Sequence, residues 1–98
     1  MKRKPTKAES EHMGRVAALG CIVCRNLGYG YSPAVVHHIR NGYGVGQRAP
    51  HFETIGLCYP HHDGGKFGTA FHSGPKTWEA KFGTERELLE QVKGLLCD

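Results

Sequence analysis

Two short motifs, Cys21-Ile-Val-Cys24 and Cys58-Tyr-Pro-His61, constrain the fold of this chain more than anything else in it. Two intervening residues let both donors of each motif turn toward one point. Three thiolates and one imidazole are a donor set suited to tetrahedral zinc. Joining the two halves folds the long segment between Cys24 and Cys58 back on itself, so ion binding contributes directly to folding free energy. A chain of 98 residues buries a limited core, and a staple of this kind is expected in it. The alternative is a buried cysteine pair with Cys58 merely apolar and His61 on the surface. Cys21 and Cys24 are too close for an ordinary disulfide. No apolar stretch has the length of a signal peptide or membrane span, so the cysteines read as reduced, intracellular and metal-bound. Cys97, at the end of the last helix, reads as a free thiol.

Around these motifs the chain reads as one domain, residues 1–98, with a frayed basic tail over 1–7. Thr6 with Glu9 forms a capping-box pattern that opens a helix, with Met13, Val16, Ala17 and Leu19 on its apolar side and Gly20 at its end. A turn-rich loop runs over 26–33. Residues 34–39 have the β-branched content of a strand, 42–46 are a glycine-rich connection, and 53–58 read as a second short strand. Pro60 fits the first turn of a helix, which Gly64-Gly65 should interrupt or end early. Thr84 and Glu87 form a second capping box. The helix they open offers Leu88, Leu89, Val92, Leu95 and Leu96 to the core. The sequence therefore predicts an α+β fold: a small strand–loop–strand–helix (ββα) core with a zinc knuckle, flanked by N- and C-terminal helices.

Charge is uneven along the chain. Residues 1–50 hold eight Lys/Arg against Glu9 and Glu11, whereas residues 51–98 hold five against seven acids. A basic half on a chain of isoelectric point near 9.0 suits contact with a polyanion such as nucleic acid.

The histidines suggest what would be done to that polyanion. His37-His38 close the first strand, and His62 follows His61 at the start of the helix. A ββα-metal nuclease requires such parts: a strand residue on a divalent ion, its neighbour as general base, and a ligand returned by the helix. A neutral imidazole is a suitable base for an attacking water at physiological pH. Neighbouring strand residues point to opposite faces, so a local bend is expected to bring both histidines to one site.

The run His37-His38-Ile39 followed by Thr54-Ile-Gly-Leu-Cys58-x2-His61-His62 resembles the HNH (ββα-metal) endonuclease pattern. More of the chain resembles the Ref family of phage recombination-enhancement, RecA-dependent nucleases. The residues that carry this are His12-Met-Gly-Arg-Val-Ala-Ala-Leu-Gly-Cys21-x2-Cys24, His37-His38-Ile39-Arg40, Leu57-Cys58-x2-His61-His62, Gly68-x3-His72, and Trp78-Glu79 leading to Phe82-Gly83. The resemblance implies that His38 is the general base, that His37 and His62 are ligands of a catalytic divalent ion, and that His72 is a further ligand. His72 as a surface or core histidine is the competing reading. His37 stands where many relatives carry Asp, which opens the site to softer divalent ions as well as magnesium. The Asn of the pattern has no obvious counterpart, and its role stays open between Glu53 and His51. His51 and His12 otherwise read as structural or solvent-facing, and Asp63 as a charge complementing a helix start. The resemblance further implies DNA as substrate, a RecA filament as partner, and the cytoplasm of a bacterial host as the place of action. Arg40 is the first choice for a phosphate contact, ahead of Arg48, Lys66 and the tail lysines; Tyr43 and the glycines around it could let backbone approach a strand. A zinc-stabilised DNA-binding module without a second metal site, or a protein-interaction adaptor, are the competing functions. The doublet His37-His38 separates them, because a structural knuckle has no use for it.

Overall fold

A computed structural model describes residues 4–43, 47, 49–66 and 68–97. The tail residues 1–3, most of the glycine-rich connection, and Arg48 lie outside the described residues. Helix α1 spans Lys7–Leu19, and its capping box is formed as expected: Thr6 Oγ1 accepts from Glu9 N at 3.1 Å, and Thr6 N donates to Glu9 Oε1 at 2.7 Å. Of its apolar stripe only Val16 is buried, while Met13, Ala17 and Leu19 are half-buried.

A short helix α2, Ile22–Asn26, then occupies a stretch that carried no helical pattern. Five residues are too few to show a period. What starts this helix is the knuckle itself, since Cys21 Sγ accepts from Cys24 N at 3.4 Å in the N-cap position. Ile22 and Val23 go into the core.

Strands β1, Val35–His38, and β2, Thr54–Leu57, pair antiparallel with Val35 opposite Leu57 and His38 opposite Thr54. Every residue of β2 is buried, because helices cover the strand. Gly56 makes this possible. A Cβ there would sit 2.6 Å from Gly20 O and 3.3 Å from Val16 O, so a larger residue would push α1 off the sheet.

Residues Pro60–Gly64 form a single wide helical turn, anchored where Cys58 O accepts from His61 N at 3.1 Å and His62 N at 2.9 Å. It ends where the glycine pair was expected to end it. At Gly65 an added Cβ would meet Pro60 O at 2.1 Å, so the return of the chain requires a residue without one. A tight turn at Phe71–Ser73 precedes helix α3, Pro75–Phe82, a helix additional to those the sequence predicts. Its signals were present nevertheless: Pro75 at the first position and Gly83 just past the end.

Helix α4, Glu85–Leu96, starts at its predicted box, with Thr84 Oγ1 accepting from Glu87 N. Leu88, Leu89 and Val92 are buried, each contributing about 2 kcal/mol of transfer free energy. Leu96 packs at the margin of the core. Leu95 departs from expectation: it is 41% exposed, because it lies off the arc that meets the sheet. Cys97 is exposed and free.

Candidate metal centre

The two half-sites meet. Cys21 enters from the start of α2 and Cys24 from its body, while Cys58 and His61 come from the end of β2 and the turn after it. All four are buried. Cys24 Sγ lies 3.7 Å from Cys58 Sγ, and His61 Nδ1 lies 3.7 Å from Cys21 Sγ and 3.6 Å from Cys24 Sγ. A tetrahedron with zinc–sulfur bonds of about 2.3 Å and zinc–nitrogen bonds of about 2.0–2.1 Å has edges of about 3.8 Å between sulfurs and about 3.6 Å from sulfur to nitrogen. The spacings match that figure except for Cys58 Sγ to His61 Nδ1, which is shorter at 3.0 Å. The donor set therefore fits a metal ion such as zinc.

Electrostatics agree with the geometry. Burial, with the neighbouring sulfurs of Cys21 and Cys24 and against the backbone N–H of His61, pushes the Cys58 thiol up to about 12. Thiolates packed this closely need a cation among them. Burial, and then the Lys81 charge, hold His61 below the ordinary imidazole value, so it is neutral and able to ligate.

A second cluster lies nearby. One ligand atom from each of His37, His62 and His72 falls within 4.8 Å of the others. His62 Nε2 and His72 Nε2 are 3.1 Å apart. Burial lowers the pKa of both rings, and the His37 charge lowers it further, with Asp63 opposing. These rings are therefore neutral at physiological pH and present lone pairs. The cluster grades from buried His37 through half-buried His62 to exposed His72, so it opens to solvent on one side.

His37 and His38 both line one cavity of about 200 Å³, together with Arg40, His62 and His72. The cavity lies at the end of β1 and is lined by both neighbours, although adjacent strand residues face opposite ways. Arg40 and His72 also border a second cavity of about 350 Å³, walled by Phe71, Pro75 and Glu79. Arg40 is exposed at the junction of the two.

Each histidine of the doublet has a side-chain partner. His38 Nε2 lies 2.8 Å from His51 Nδ1, which distinguishes His51 from Glu53 in their geometry. Glu53 instead accepts from Tyr43 Oη at 2.8 Å and pairs with Arg86 at 3.1 Å, away from the histidines. Tyr43 is thereby drawn inward rather than offered to a ligand. The second partner is Glu85, whose Oε2 is 2.7 Å from His37 Nε2 with both side chains 2% exposed. Nothing in the sequence marked it, because the first residue of a helix is an ordinary place for Glu.

The remaining candidates are ligands of neither cluster. Lys66 is exposed in the loop after the wide turn. Asp63 is exposed. His12 is half-buried against Phe52, with ring centres 5.1 Å apart, and burial lowers its pKa.

A row of rings links the clusters. His61 packs on Phe82 at 5.1 Å, Phe82 on Trp78 at 5.4 Å, Trp78 on Phe71 at 5.1 Å, and Phe71 on His37 at 4.8 Å. Helix α3 thus supplies the wall against which both clusters sit.

An antiparallel strand pair, a helical turn after it and a buried Cys3His set at the junction define a small protein of the ββα-metal fold class. The profile of the family described as recombination enhancement, RecA-dependent nuclease matches residues 5–97, and the chain belongs to that family. Among curated proteins, none matches it.

Proposed function

We propose that this chain is a divalent-metal-dependent DNA endonuclease of the HNH type. In this reading Cys21, Cys24, Cys58 and His61 hold a structural zinc, and His37, His62 and His72 hold the catalytic ion. The observation that carries it is the convergence of the histidine trio with His38 and Arg40 on one open cavity. A zinc knuckle alone gives no reason for such a cluster.

Three imidazoles without a carboxylate among the ligands suit borderline ions such as zinc, cobalt or nickel better than magnesium. When bound, the ion supplies Lewis-acid stabilisation of the charge that develops on the phosphate and the leaving 3′ oxygen. His38 is the general base. One ring nitrogen takes the proton of the attacking water while the other is held at 2.8 Å by His51, which fixes the plane of the ring. The water oxygen forms its bond to phosphorus as the bond to the 3′ oxygen breaks. Arg40 neutralises a phosphate beside the scissile one, and Lys66, Arg48 and the basic tail add contacts that salt weakens. No base-reading helix is expected to act, so cleavage is largely independent of sequence. Dependence on a RecA filament is proposed from the family description alone, and it would place the activity in the bacterial cytoplasm. Among the described residues no helix is long and apolar enough to cross a membrane.

The test is nicking of plasmid DNA in magnesium, manganese, cobalt or nickel, with and without RecA filaments. His38→Ala should lower kcat by about 10²–10⁴-fold, with zinc content, second-ion content and melting temperature retained. Zinc binding without cleavage in any of these ions would overturn the enzyme reading in favour of a DNA-binding module. Loss of folding in His38→Ala would make His38 a structural residue.

A further inference from the structure

The geometry points to Glu85 as the residue that sets the tautomer of His37, and so decides which of its ring nitrogens can bind an ion. The inference rests on the histidine trio being the site of the catalytic ion. Glu85 stands at the first position of α4, far from His37 in sequence, and is 2% exposed. A buried carboxylate is costly unless its oxygens are satisfied, and these are satisfied in full. Oε2 accepts from His37 Nε2 at 2.7 Å and from Arg40 N at 2.8 Å. Oε1 accepts from Arg40 N at 2.9 Å and from Asn41 N at 2.9 Å.

A carboxylate so placed can only accept. With Nε2–H donating to it, Nδ1 is the ring nitrogen left to ligate. The same contact orients the ring and raises its basicity as a ligand, as a carboxylate behind a metal-bound histidine does. With both oxygens taken up by His37 and the Arg40 and Asn41 backbone, Glu85 is a positioning residue and not a ligand. It also fastens the backbone just after β1, which carries Arg40, to the start of α4.

Glu85→Gln separates the two roles. Arg40 N and Asn41 N both donate to Oε1, so the amide oxygen goes there and keeps those two contacts, at the loss of the Arg40 N–H shared with Oε2. The amide nitrogen takes the place of Oε2 and faces His37 Nε2 as a donor. His37 must then accept at Nε2 and carry its proton on Nδ1, where it blocks ligation.

The full-length, zinc-loaded protein should be examined by ring-nitrogen ¹⁵N NMR and by titration with manganese(II), which does not displace zinc from thiolates. Wild type should show His37 protonated at Nε2, and Glu85→Gln should show it protonated at Nδ1. Second-ion affinity should fall by about 10–100-fold in the variant, with zinc content and melting temperature close to wild type. Wild-type His37 protonated at Nδ1 would overturn the inference, and that measurement stands even if the variant fails to fold. Equal manganese affinity in wild type and Glu85→Gln would overturn it too, provided that His62→Ala abolishes binding. If wild type binds no manganese, cobalt or nickel that His62→Ala removes, the catalytic-ion reading fails, and the role of Glu85 fails with it.

Discussion

The Cys3His cluster and the histidine trio are built from the same stretch of chain, yet they differ in how they are enclosed. His61 and His62 are adjacent and belong to the same wide turn, but one faces a sealed set of sulfurs and the other an open cavity. All four members of the first cluster are buried, whereas the second ends in an exposed residue. The contrast parallels that between zinc sites that saturate their ion with protein donors and sites that leave a position open. Under the proposed function, one turn would serve stability with one histidine and chemistry with the next.

The largest test of this contrast is Cys58→Ala. Structural zinc contributes about 10 kcal/mol or more of binding free energy, comparable with the whole stability of a small domain, roughly 5–15 kcal/mol. The variant should lose zinc and its circular-dichroism melting transition together. A folded Cys58→Ala protein would break the assignment of stability to this cluster. His62→Ala should behave in the opposite way, with its melting temperature and zinc retained. Its second-ion affinity should drop by more than about 100-fold, beyond what loss of an outer-shell partner costs. His72→Ala should follow with a smaller loss, since its ring is exposed and holds its place less firmly. If His72→Ala proves the more damaging of the two by titration, the gradation from closed to open would be reversed.

A finer test falls on His51. Its hydrogen bond to His38 should be worth about 1 kcal/mol, so His51→Ala should lower kcat about fivefold and leave the affinity of both ions alone. An unchanged kcat would mean that His38 needs no partner to orient it. The smallest effect is expected at Thr6, which caps α1 away from both clusters. Thr6→Ala should cost about 1 kcal/mol in denaturant-induced unfolding and leave ion binding and cleavage at wild-type levels.

Much of this arrangement was legible in the sequence because its signals are local. The spacing of Cys21, Cys24, Cys58 and His61 anticipated the closed cluster, and the two threonine caps marked where α1 and α4 begin. The grouping of His37, His62 and His72 followed from a resemblance rather than from spacing, and the fold does bring them together. What could not be read is what depends on tertiary approach. Glu85 meets His37 only because α4 packs beside the end of β1. His51 reaches His38 across a loop whose course no periodicity dictates. Helix α3 was missed because Trp78 and Phe82 show no clear stripe over eight residues, although Pro75 and Gly83 framed it. Leu95 fell outside the core because an apolar residue at the end of a helix need not lie on the arc that meets the sheet.

The ring row through α3 has an experimental consequence. The chain contains one tryptophan, and Trp78 is fully buried between Phe71 and Phe82. Each of those rings touches a histidine of a different cluster. Its indole is thus a native optical probe standing midway between the two clusters, with no label to attach. Intrinsic emission recorded while zinc is withdrawn, and again while a second ion is added, would give two separable signals from one fluorophore. The order in which the protein fills its sites could then be followed in real time.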